Sequence, residues 1–514
     1  MKVKRLKQLI TISALLAITV SCTSSNGGYE AGYYKSDSPK ELTVAWTEAG
    51  KVVDTVNLPT VAKSRELTNI GLKNVLPKTV TDWQQALGML VATNKEPDIM
   101  HFFSEKVINQ YIINGTLRPL DDLIEMYAPN LSAFFEENPE LKRAAQWKDG
   151  KIYYIPCYAD GVVSDGWFIR KDWLDKLGLS EPQSVEDYYE VLKAFKNGDP
   201  NGNGIADEIP YFSRKSGVNY TDSILSLLYL WDVNRSIIEK DGKIVFAPCE
   251  PEYIEAVSNI AKWYREGLID PEIYTRGSSA RDELLSSNVG GSTYDWFGSN
   301  AKYNDSLSKT IDGFEFVPIA PPNGAVYTRR DLRKSAGWGI SSKSENEADA
   351  IRYMDFWFSS TGRILANYGI EGETYDMIDG KPILKESIVN SYDEGSIVDE
   401  LNAYGAQLNM GYHQDFDYEL QWLTPIALQG IDSYLNNGYL KKFVNKSFTL
   451  GEQDLTRVTE LTATLEDYVD DMEQKWILGK LDIESTYNEF LSTLHKMQVD
   501  ELLDIYNKAY ESAE

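Results

Sequence analysis

The run Asp199–Glu208 reads Asp-Pro-Asn-Gly-Asn-Gly-Ile-Ala-Asp-Glu, a set of oxygen ligands wound around two glycines. Asp199, Asn201 and Asn203 alternate, Gly204 permits a sharp turn, Ile205 can offer its backbone carbonyl, and Asp207 and Glu208 close the set. A hard cation needs about six or seven oxygens from one short loop, and this spacing suits Ca²⁺ better than Zn²⁺. Pro210 stands where an EF-hand has its final bidentate Glu, so Glu208 has to close the shell two residues early. The motif supplies every expected ligand and leaves no open position, so the expectation is a structural calcium ion without catalytic duty. The alternative is a solvated Asp/Asn/Gly turn.

Other site chemistries are poorly supplied. The three histidines, His101, His413 and His495, are scattered without a motif, which leaves little for Ser-His-Asp catalysis or a histidine zinc site. Cys157 and Cys249, the cysteines beyond Cys22, form no CxxC pattern and could either bridge or stay reduced. A net charge of −27 argues against nucleic acid as a partner. It also disfavours a polyanionic ligand, although a local basic cleft can override the global balance.

The N-terminus indicates where the chain works. Lys2, Lys4, Arg5 and Lys7 precede an apolar run from Leu9 to Val20, then Ser21 and Cys22. This reads as a secretory signal over residues 1–21, too short for a comfortable membrane span. The small residue before Cys22 looks like a bacterial lipobox, which makes Cys22 the expected lipidated first residue; Thr19 stands where that motif prefers Leu. Residues 22–40 have the composition of a flexible tether. The expected state is anchoring to the bacterial cell membrane, without spanning it, on the extracytoplasmic side.

The elements that must hold such sites alternate along the chain. Glu41–Trp46, Pro97–Phe103, Lys151–Pro156, Gly166–Arg170, Gly313–Pro318 and Gly337–Ser341 read as strands. Helical spacing covers Thr81–Asn94, Pro251–Gly267, Glu347–Tyr368 and most of Gln453–Ala513. Ser184 caps a further helix with Asp187 three residues on, and the candidate cation loop follows that helix directly. Short strands interleaved with helices predict α/β layers, and the length predicts two lobes.

Asp149–Pro156, Ile169–Gly178, the Asp199–Glu208 loop, Asn367–Glu373 and the tail from Lys475 to Tyr510 together resemble the extracellular solute-binding proteins of ABC importers, family 1, and within them the LipO-like lipoproteins. The resemblance spans essentially the whole mature chain. It implies a type II clamshell in which each lobe is a mixed sheet flanked by helices. Residues 41–157 and 298–340 are assigned to the N-lobe, and 158–297 and 341–514 to the C-lobe. Crossings are expected near Tyr158, Phe297 and Gly337–Ser342. Analogues that bind uronate oligosaccharides also carry a calcium loop of this type, matching Asp199, Asn201, Asn203, Ile205, Asp207 and Glu208.

A sugar site needs aromatic platforms with carboxylates or amides beside them. Trp46 and Glu48 follow the first strand, and Trp338 lies on a crossover strand. Phe102 and Glu105, Tyr158, and the trio Tyr294, Asp295 and Trp296 occupy places similar to ones that carry ligand contacts in maltose-binding proteins. The implied function is capture of an oligosaccharide by a monomer and its delivery to ABC transporter permease subunits, with no catalysis. The alternatives are a secreted glycosidase with paired carboxylates and a peptide-binding transport protein.

Overall fold

Strands with apolar residues on both faces must be covered on both sides, and here they sort into two mixed sheets, each over its own core. The computed structural model describes residues 27–512 apart from 31, 47–53, 77–81, 104, 148, 162, 215–223, 278, 328–332, 391–396, 447, 449 and 451. The signal segment, Cys22 and Glu48 therefore lie outside the described residues, as does the side chain of Glu105, whose backbone opens the helix Glu105–Ile113.

The first sheet has six strands, in the spatial order His413–Gln414, Ile155–Ala159, Arg333–Ile340, Ile99–Phe102, Lys40–Ala45 and Ile70–Asn74. Arg333–Ile340 runs antiparallel to both its neighbours, and the remaining pairs are parallel. The second sheet has four strands, in the order Phe316–Pro318, Asp165–Arg170, Gly290–Trp296 and Ile209–Tyr211. Only its last pair is parallel. The α/β expectation and the two-lobed plan agree with this arrangement.

The lobe boundaries require correction. Residues 298–327 stay with the second sheet: Phe316–Pro318 pairs with Phe168–Arg170, and Val326 packs in the second core. Conversely, Ile351, Phe356, Leu365, Met410 and Tyr412 pack in the first core. The chain crosses between Ala159 and Asp165, between Tyr327 and Arg333, and between Gln414 and Leu423. A short edge strand such as Phe316–Pro318 gives no sequence signal of which sheet it joins, and the return lies beyond Tyr327 instead of near Phe297. The expected tether of residues 22–40 is also corrected. Gly27–Glu30 and Tyr33–Ser36 form an antiparallel hairpin, and Tyr34 is buried under the Arg352 guanidinium. Its polar composition hid two aromatic anchors.

Local rules account for most helix boundaries. Ser184 accepts from the Asp187 N–H at 3.0 Å and starts Val185–Asn197, whose Tyr188, Leu192 and Phe195 are buried. Asp82 caps Trp83–Ala92 in the same way. The single helix expected over 347–368 is broken into Glu347–Phe356 and Ser360–Tyr368, with Ser359 capping the second. The C-terminal stretch likewise divides into Glu452–Ile477, Ile483–Lys496 and Val499–Ser512. The first of these is pinned to the second lobe by a buried carboxylate: Glu473 accepts from Arg235 at 2.9 Å and from the Tyr253 hydroxyl at 2.6 Å.

Where two strands of the first sheet meet near a crossing, the backbones approach too closely for a side chain. A Cβ on Gly337 would sit 2.4 Å from the Ile155 carbonyl oxygen and 2.7 Å from Pro156 Cα. Gly337→Ala should therefore cost about 1–3 kcal/mol of stability, read by urea unfolding; an unchanged midpoint would refute the close approach. A second expectation concerns Asp355, buried where the N-terminal hairpin meets Asn130 and Leu131. Burial raises its pKa to about 6, against the lowering effect of the Leu131 and Asn130 donors. A raised carboxyl pKa gives stability that is complete below the unfolded value and is lost as pH rises through about 6. Asp355→Asn should flatten that decline, on the order of 2 kcal/mol; equal pH slopes for the two proteins would count against it.

Candidate functional site

The helix that Ser184 starts delivers the chain at Gly198 into the oxygen-rich loop. Asp199, Gly202 and Gly204 all take left-handed backbone conformations, which fold the loop back on itself. Asp199 accepts from the N–H groups of Asn203 and Gly204 at 3.1 Å, and Asn201 accepts from the Asn203 N–H at 3.0 Å. The Asn201 and Asn203 amides converge on the Asp207 carboxylate at 2.9 and 3.0 Å. Behind them Glu208 is only 1% exposed, and neither of its carboxylate oxygens meets a donor in hydrogen-bonding geometry. Burial pushes its carboxyl pKa up; its own backbone N–H opposes this, and the like charges of Asp207 and Asp199 add to the rise. A buried carboxylate without a donor, beside two more carboxylates, costs several kcal/mol unless a cation compensates it. This donor set fits a calcium ion, with Asp199, Asn201, Asn203, Asp207, Glu208 and the Ile205 carbonyl to hold it.

The aromatic candidates divide sharply. Trp46 and Trp338 come together, ring centroids 5.6 Å apart, but both are buried in the first core beside His101. Phe102 is buried against Tyr111, Tyr158 among Phe134, Phe135 and Phe358, and Tyr294 between Trp167 and Tyr229. These five rings are core packing. Side chains alternate across a strand, and at those positions the alternation sends the ring into the layer beneath. Trp296 is the exception, 42% exposed at the end of its strand. Asp295 also departs from its expected role, because its oxygens are already filled. It accepts from Arg214 Nε and Nη2 and from Arg281 Nη1, each at 2.8 Å, and from the Trp296 N–H at 2.7 Å. Burial alone would raise its pKa, but the charges of Arg281 and Arg214 outweigh that and hold it below the usual carboxylate value.

The structure also assembles a cluster that the sequence did not signal. Asp160 lies in the first crossing, His413 in the edge strand that precedes the third, and Asp415 at the start of that third crossing. His413 Nε2 lies 2.6 Å from Asp160 Oδ1, and Arg363 pairs with Asp415 and, at 3.6 Å, with Asp160. Asp160 and Arg363 are partly exposed, at 47% and 38%, so the cluster reaches solvent at the seam between the lobes. The three possible metal ligands lie within 4.8 Å of one another. The guanidinium on both carboxylates opposes a further cation there, and the arrangement suits hydrogen bonding to a polar solute instead. Asp160 lies 253 positions from His413 in sequence, so spacing along the chain carries no sign of the cluster. Cys157 and Cys249 lie against different cores and are not bonded to one another.

Residues 78–364 match the family described as bacterial extracellular solute-binding protein. Over 465 residues the chain is 26% identical to the fructooligosaccharide ABC transporter substrate-binding protein FusA of Streptococcus pneumoniae serotype 4, covering 84% of this chain and 83% of that one. It is 26% identical to lipoprotein LipO of Bacillus subtilis over 378 residues, 71% and 72% of the two chains. The crystal structure of the alginate-binding protein AlgQ2 without calcium ion superimposes with a TM-score of 0.76 at 33% identity, over 94% of this chain and all of that one. The two separate sheets, the three crossings and the family match across more than half of the sequence lead to one conclusion: this chain belongs to the bacterial extracellular solute-binding proteins and is a binding protein, not an enzyme.

Proposed function

We propose that the chain captures an oligosaccharide between its two lobes and passes it to the permease of an ABC importer, acting as a monomer held at the outer face of the cell membrane by a lipid on Cys22. The observation that carries this reading is the placing of solvent-reaching polar chemistry at the seam. Asp160, Arg363 and Asp415 sit on or beside segments that join the lobes, and Trp296 stands exposed at the end of a strand of the second sheet. Sugar hydroxyls suit charged acceptors and donors, and the indole face suits a sugar's C–H surface. Closure about a hinge would bring further groups onto the ligand. The names of FusA and AlgQ2 support a saccharide, and that of LipO supports the lipid anchor. None of the described helices is long and apolar enough to cross a membrane.

The loop Asp199–Glu208 is proposed to hold a structural Ca²⁺, which would neutralise the buried Glu208 and fix the turn ahead of the strand Ile209–Tyr211. The crystal structure of the similar alginate-binding protein AlgQ2 is one without calcium ion.

Two measurements test these readings. A thermal-shift screen against oligosaccharides should find one that, at a hundred times its dissociation constant, adds about 2.7 kcal/mol without being cleaved. Silence across neutral and acidic glycans together with a shift from peptides would sink the saccharide reading, and release of reducing ends would restore a glycosidase. For the loop, added Ca²⁺ should raise the melting temperature and Asp199→Ala should abolish that rise. Glu208→Gln should have opposite signs in the two conditions, stabilising the chelated protein by about 1–3 kcal/mol while shrinking the gain from Ca²⁺. A Glu208→Gln protein destabilised equally with and without the ion would argue that no cation belongs there.

A further inference from the structure

The hairpin of Gly27–Glu30 and Tyr33–Ser36 is fastened to the first lobe at several points. The Tyr29 hydroxyl donates to the Tyr127 carbonyl at 2.6 Å, and the Asn130 amide donates to the Gly32 carbonyl at 2.9 Å. The Tyr33 ring meets Phe356 edge to face at 5.4 Å, and Tyr34 is buried with the Arg352 guanidinium 4.2 Å from its ring centroid. At the far end Asn69 donates to the Ser36 carbonyl at 3.0 Å. Tyr34 and Phe356 both belong to the core under the first sheet. The hairpin is therefore part of the first lobe, and only Thr23, Ser24, Ser25 and Asn26 stand between Cys22 and its first strand.

Chain length then limits how the molecule can turn. From Cys22 to Gly27 the backbone reaches at most about 18 Å, whereas a link running on to Lys40 would have reached about 60 Å. A folded chain of this length has a radius of gyration of about 24 Å, so the shorter link cannot let it present its far side to a membrane. The surface beside the link carries exposed apolar groups. Tyr29 is 44% exposed, and Met126, next to the Tyr127 that Tyr29 bonds, is 60% exposed. Lys35, the cross-strand partner of Gly28, is exposed as well. Tyrosine and lysine suit a bilayer interface, where the ring or alkyl stem is covered and the polar tip stays wet. A net charge of −27 opposes adsorption to an anionic leaflet, so charge does not set the orientation.

Taking as given the proposed lipid on Cys22, we infer that the first lobe is held against the leaflet that carries this lipid, through the hairpin face bearing Tyr29 and Met126. The partner of that face is the lipid surface, selected by the short link between the anchor and Gly27. Two side chains offer too little apolar area to hold the lobe without the link, so covalent reach provides the restraint and the apolar contact follows from it. The second lobe has no such restraint and is the one that swings when the cleft closes.

The test uses the full lipidated chain in vesicles of phosphatidylethanolamine and phosphatidylglycerol that include a lipid with a nitroxide headgroup as quencher. In a Cys249→Ser background a fluorophore is attached through Met126→Cys or, on the second lobe's helix Glu452–Ile477, through Thr459→Cys at an exposed position. The expected result is loss of most of the Met126→Cys signal with little change at Thr459→Cys. Inserting about twenty glycine and serine residues after Asn26 should bring the two labels level; an unchanged difference overturns the link as its cause. Equal quenching of the two labels in the lipidated chain overturns the assignment to the first lobe and leaves the anchor standing. Quenching at Met126→Cys that appears only when the permease is present overturns the lipid contact in favour of a protein contact. A chain that mass spectrometry shows to lack lipid on Cys22 overturns both the anchor and the inference built on it.

Discussion

The separate hydrophobic cores beneath the two sheets set the terms for everything else in this protein. Each sheet buries its own aromatic and aliphatic side chains: Trp46, Trp338 and Trp357 in one, Trp167, Trp173 and Trp263 in the other. Burying one such ring contributes about 2 kcal/mol or more. The lobes are joined covalently by three connections, and some side chains on the described ones, such as Asp160, stay outside the cores. Polar chemistry can survive there, and Asp160, His413 and Asp415 are found on or beside two of them.

Buried carboxylates show how the same physical problem is solved in different ways. Asp295 is neutralised by two arginines and kept ionised. Glu473 is matched by Arg235 and the Tyr253 hydroxyl and serves to dock the C-terminal helix. Asp355 has amide and backbone donors but no cation, and its pKa rises accordingly. Glu208 pairs with no cation among the described residues, and only the backbone N–H groups of Glu208 and Asn201 weakly favour its charge, neither in full hydrogen-bonding geometry. That contrast motivates the calcium proposed for the loop, and it is independent of the loop's sequence pattern.

Aromatic abundance proved a weak guide to the binding surface. Of the six rings chosen from strand ends, five fill cores and one, Trp296, faces solvent. A ring at a strand end is favoured for the same reason in either setting, its large apolar area, and only the pleat decides which way it points. The converse also held. His413 and Arg363 carry no local signal, yet they meet acids from a distant crossing.

The sequence by itself determined the local features: the helix that Ser184 caps, the glycine-permitted turns of the Asp199–Glu208 loop, the approximate places of the main strands, and the α/β alternation. Each depends on residues within a few positions of one another, where propensity and hydrogen-bonding geometry act directly. The tertiary structure alone decided which sheet the edge strand Phe316–Pro318 joins, that Ile351, Phe356, Leu365, Met410 and Tyr412 return to the first core, and that Arg214 and Arg281 converge on Asp295. Those outcomes come from packing between segments far apart in the chain, where many pairings satisfy the same apolar pattern until the whole core is assembled.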